Sequence, residues 1–119
     1  MTKDWAKGIA LTELSDEPAL SEELQSVIDR LTKSGKSKPP HVVLNFANVS
    51  YINSSNLSQL LRIRTMLADH NRLLKLCSVP DEVWTVFIVS GLDKIFRFAP
   101  DPMTALAGLQ LEASTIDDA

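Results

Sequence analysis

Strand-like and helix-like spacings of apolar residues take turns along the chain. GIALTEL (8–14) is a short, β-leaning apolar segment that runs into Ser15, Asp16, Glu17 and Pro18, a set of turn and helix-start residues. Beyond it Leu20, Leu24, Val27, Ile28 and Leu31 fall at i, i+4, i+7, i+8 and i+11, which is one face of a helix. KSGKSKPP (33–40) ends that helix, because Gly35 can take a positive φ and two prolines cannot continue it. Its lysines read as a solvated connection. HVVLNFANV (41–49) is apolar on both sides, as in a strand covered by helices on two faces. After Asn53, Ser54, Ser55 and Asn56, a second helical stripe runs through Leu57, Leu60, Leu61, Met66, Leu67 and Ala68. RLLKLCSV (72–79) is another buried strand, and Pro80, Asp81 and Glu82 open a third helix that closes at Gly91. Trp84 falls beside the Val83–Phe87 face, where satellite core packing is expected. KIFRF (94–98) predicts a short strand. Asp101 as N-cap and Pro102 as first residue begin a last helix through Leu109, with a frayed acidic tail over 111–119.

This alternation predicts a single α/β domain over about residues 8–110, a four- to five-stranded, mostly parallel sheet with helices on both faces and right-handed crossovers. In such sheets function gathers where strands end and helices begin. That edge carries residues 15–18, 53–56, 79–82 and 100–102, and the lysine loop and His41 lie on the opposite one.

Composition narrows the classes. The chain has 119 residues, 45% hydrophobic and 23% charged, which is the balance of a folded globular protein. A net charge of −3 gives no nucleic-acid footprint. No apolar run reaches the length of a membrane span and the N-terminus lacks a signal-peptide core, so the expected location is cytoplasmic. Lone Cys77 sits in an apolar run and reads as a buried thiol.

Ser54 and Ser55 would need a base to act as nucleophiles. His41 begins the strand that leads to them, roughly 20 Å away at about 3.3 Å per strand residue. His70 ends the helix that they begin, more than about 20 Å away at about 1.5 Å per residue. With no zinc-type cluster and no Gly-rich phosphate loop, the expectation is a protein that is not an enzyme and uses no cofactor or metal. Two readings of the serines stay open: one of them caps the helix, or a hydroxyl at the positive end of the dipole is a site for a phosphate. A receiver-type phospho-acceptor domain has a similar alternation, but its central strand needs an acceptor Asp and here offers only Asn45, Asn48 and Asn53.

The run VVLNFANVSYINSSNLSQLLRI resembles the signature of STAS domains, the anti-sigma factor antagonists of partner-switching systems, which reads as a strand, D-x-S-x-V, then I-D-S-S-G-L at a helix start. SGLDKIF (90–96) and the pattern Asp101, Ala105, Leu106 extend the resemblance over most of the chain. Asn45, Asn53 and Asn56 stand where that signature has Asp, Asp and Gly. The resemblance implies that Ser54 is phosphorylated by a partner that is both anti-sigma factor and serine kinase, with a histidine-kinase-like ATPase fold. Asn53, Ser55, Asn56, Asp16, Glu17 and Asp81 would support or line the contact, with Ser55 the structural member of the pair. A non-switching STAS scaffold or a subunit of a lipid-transport assembly is the alternative.

Overall fold

The computed structural model describes residues 2–6, 8–33 and 38–117. Its elements are β1 (Thr2–Ala6), β2 (Ile9–Ser15), α1 (Ala19–Lys33), β3 (His41–Asn48), α2 (Ser54–Asp69), β4 (Leu74–Cys77), α3 (Asp81–Ser90), a 3-10 turn (Leu92–Lys94), β5 (Arg97–Ala99) and α4 (Pro102–Asp117). Gly35, expected to end α1, lies outside the described residues. The strands form one sheet in the order β1-β2-β3-β4-β5. β1 is antiparallel to β2, and β2 to β5 are parallel, with Leu44 facing Leu76 and Leu76 facing Phe98.

Each parallel strand is laid beside the one before it. Crossovers of one hand that always step in the same direction put their helices on the same face. The core accordingly joins Leu20, Leu24, Ile28, Leu60, Ile63, Leu67, Val83 and Phe87 of α1, α2 and α3 to Val42, Leu44 and Phe46 of β3. The other face is covered by α4, whose Ala105, Leu106 and Leu109 pack on Ile9, Val43 and Cys77. Burial pushes the Cys77 thiol up to about 11. β3 is thus apolar on both sides because it is covered on both sides.

Local chemistry sets the boundaries. Gly91 ends α3 in the left-handed region, φ 78°. The backbone N–H groups of Lys94, Ile95 and Phe96 then donate to Gly91 and Leu92 carbonyls. Those donors are taken, so the last strand starts at Arg97 and not, as expected, at Lys94. Asp101 caps α4, accepting from the Thr104 N–H at 2.7 Å and its hydroxyl at 3.0 Å. This helix does not stop near Leu109. It runs to Asp117, with Ala113 buried and Glu112 bound by Lys75 at 2.8 Å and by Arg97. Trp84 is half-buried at the core border, edge-on to Phe98 with ring centroids 4.8 Å apart.

Candidate functional site

The C-terminal ends of the parallel strands bring together the loops before α1, α2, α3 and α4. Where α2 begins, the chain leaves Ile52, which is buried, and reaches Asn53 in extended conformation, φ −112° and ψ 177°. Asn53 is the N-cap. Its side-chain oxygen accepts from the Asn56 N–H at 2.9 Å, and the Asn56 side-chain oxygen accepts from the Asn53 N–H at 3.0 Å. This is a reciprocal capping box closed by two asparagines.

Neither serine is the cap, which corrects one of the two readings left open by the sequence. Ser54 and Ser55 occupy the first two helical positions between the asparagines, and both are exposed. Ser55 therefore has no structural part that Ser54 lacks. Asn56 is fully buried, so it supports the site from beneath and lies outside its surface. Its amide also reaches Glu17 Oε2 and Ser21 Oγ, each at 3.4 Å.

Two carboxylates fasten the loop before α1, one to α1 itself and one to the loop before α2. Glu17 accepts from the Ser21 N–H at 2.6 Å and from the Ser21 hydroxyl. Asp16 accepts from the Ser50 N–H at 2.8 Å and the Ser50 hydroxyl at 2.7 Å. Bonds to Ser50 and to Ser21 respectively hold both carboxyls below their ordinary values, so both are ionised at neutral pH while staying open to solvent. Asp81 is exposed at the start of α3, whose N-cap is Pro80 without a side-chain bond. Tyr51 projects next to the serines with 64% of its surface exposed. The sequence reading passed over Tyr51 and Ser50. The signal for Tyr51 is its place in an alternating stretch whose next residue, Ile52, points inward.

The charge on this edge has one sign. No Lys or Arg occurs in residues 8–29, 39–61, 76–93 or 98–119, the segments that supply it, while Asp16, Glu17, Asp81, Glu82 and Asp101 all do. His41 is buried at the opposite edge, its Nδ1 accepting from the Leu73 N–H at 3.0 Å. His70 caps the far end of α2. The arrangement presents hydroxyls at a helix start with no imidazole beside them. Among the described residues there is no cluster of His, Cys, Asp and Glu suited to a metal, and no helix long and apolar enough to cross a membrane.

Comparison with known proteins agrees with this fold. The STAS domain family matches residues 16–105. A Thermotoga maritima protein described as a putative anti-sigma factor antagonist superposes with a TM-score of 0.76 at 17% identity, covering 92% of this chain and 93% of that one. An anti-sigma-factor antagonist (STAS) domain protein from Planctomyces limnophilus also superposes at 0.76, with 15% identity over 92% of this chain and 97% of the other. At these identities the likeness is one of fold.

Proposed function

The chain belongs to the STAS domain family, and we propose that it works as an anti-sigma factor antagonist whose contact with an anti-sigma factor and serine kinase is switched by phosphorylation of Ser54. The observation that carries this reading is the division of labour at the start of α2. The asparagines close the capping box, so the Ser54 hydroxyl is not needed by the fold and stands in solvent. A phosphate there gains the helix dipole and free N–H groups. It also adds about −1.5 to −2 charges at pH 7 to a rim that holds no cation. Change at the surface, with the domain left folded, is what a switch of partner affinity needs. The acidic rim and Tyr51 suit a partner that offers a basic, partly apolar face.

The test uses a serine kinase of the anti-sigma factor class from the same source, with ATP and purified protein. Ser54→Ala is expected to abolish labelling and keep the partner bound. Ser54→Asp is expected to weaken binding by about tenfold or more, on the order of 1.4 kcal/mol. Undiminished labelling of Ser54→Ala, with equal partner affinity for wild type and Ser54→Asp, would overturn the proposal and leave a non-switching STAS scaffold.

A further inference from the structure

At the same edge as Ser54, the ends of β4 and β5 and the start of α3 enclose an open groove of about 310 Å³. Its walls are Ser78, Val79, Trp84, Phe98, Ala99 and Pro100. Ser78 turns the chain out of β4 in the left-handed region, φ 56°, and its N–H donates to the Ala99 carbonyl at 3.3 Å, which ties the two walls together. Trp84 stands edge-on to Phe98, and both are only partly buried. The Trp84 indole N–H has no acceptor among the described residues and is not a buried unpaired atom, so a donor stays open to solvent on a residue that lines the groove. Charge frames the groove on both sides. Asp81 and Glu82 continue the chain from one wall and Asp101 from the other, all three exposed. Arg97, next to Phe98 in sequence, is bound by Glu112 on the α4 side of the sheet.

We propose that this groove docks an extended, proline-containing segment of a partner protein that carries lysine or arginine beside its prolines. Aromatic walls take pyrrolidine rings, and such a segment is already extended when free, so little freedom is lost on binding. Its carbonyls have no internal hydrogen bonds, and one of them meets the indole N–H. Its cations face Asp81, Glu82 and Asp101. Pro80 and Pro100 stiffen the two walls in turn, which lowers the cost of ordering them. The chain's own basic proline segment, residues 38–40, does not fit as the occupant in a second copy, because Pro39 is buried. The proposal goes beyond the Ser54 reading and needs no phosphate.

Titration of the full chain with a capped peptide in which one lysine and two prolines repeat, followed by amide and indole N–H chemical shifts, tests it. Saturable shifts are expected at residues 78–80 and 98–101 and at the Trp84 indole, and binding should weaken as salt rises. The same peptide with glutamate for lysine, or with glycine for proline, is expected to bind about tenfold more weakly or worse. Trp84→Phe keeps an aromatic ring against Phe98 and removes the donor, which should weaken binding about threefold to tenfold. Asp81→Asn combined with Glu82→Gln, both at exposed positions, should weaken binding and flatten its salt dependence. Shifts that never saturate, equal binding of the glutamate or glycine peptide, or unchanged affinity in Trp84→Phe would overturn the site. So would self-association of the peptide-free chain that Trp84→Phe abolishes, since the occupant would then be a second copy.

Discussion

Asn53 and Asn56 hold the first turn of α2 by exchanging backbone donors, and this is the detail that the sequence did not disclose. Serine and asparagine are about equally good caps, so a run of four such residues fixes the start of a helix only to within a residue or two. The asparagine pair was visible at the spacing of a capping box, but that box is usually sought as Ser or Thr followed by Glu or Gln. The assignment is testable by urea unfolding. Asn53→Ala should cost about 1 kcal/mol. Asn56→Ala should cost more, because Asn56 is itself buried and its loss also leaves part-buried bonds to Glu17 and Ser21 unmade. Ser54→Ala and Ser55→Ala should each stay within about 0.5 kcal/mol. A second expectation concerns acid. Asp16 and Glu17 have folded values below their ordinary 3.8 and 4.5, so the stability they contribute is complete above those values and is lost as pH falls through the lower, folded ones. Both groups are open to solvent and the effect is small. The urea midpoint of the wild type should therefore drop below about pH 4, with part of that drop missing in Asp16→Asn. An identical pH profile in the two proteins would show that the Asp16–Ser50 tie carries nothing.

At the scale of elements, the long amphipathic pieces were legible and the short ones were not. The α1 stripe of Leu20, Leu24, Val27, Ile28 and Leu31 is buried as its spacing requires, and Gly91 ends α3 as a left-handed residue. KIFRF carries the composition of a strand, yet three of its backbone donors are captured by the turn after Gly91, a competition that composition does not encode. α4 outruns its apolar pattern because its last turns are held partly by charge, through Glu112 with Lys75 and Arg97. That contact makes a demand on the helix. A Cβ built on Gly108 would lie 2.7 Å from Lys75 Nζ, so the ammonium reaches Glu112 only across a residue without a side chain. Gly108→Ala makes the ammonium shift, a cheap move for the end of a flexible side chain. The penalty in the Lys75–Glu112 contact should therefore stay below about 1 kcal/mol and be offset by the better helix propensity of alanine. The penalty should shrink when Glu112→Gln has already released the lysine, a non-additivity that a double-mutant cycle in denaturant would read. Full additivity would mean that the lysine moves aside freely.

Along the strand axis the Ser54 end is acidic and free of Lys and Arg, while the other end mixes signs, with Arg64, Arg72 and Arg97 beside Asp4, Asp69 and Glu112. The sequence predicted the layers, and the edge at which the loops before the helices meet, from alternation and the placing of loops. Strand order was beyond it, since every parallel arrangement of the same units buries similar stripes. The observed order is also the chain order, so each strand finds its neighbour one crossover back. During synthesis the sheet can then grow by accretion, every new unit covering the helical side as it arrives. The other side has to wait. Val43 and Cys77 gain their cover from α4, which is supplied by residues 102–117. A nascent chain that ends at Asp101 would carry a formed sheet with one greasy face bare, a surface suited to sticking to its own kind. Chains truncated after Asp101 should scatter light and sediment at micromolar concentrations where the full chain stays dispersed, and a truncated chain that remained dispersed and folded would show that α4 is dispensable as cover.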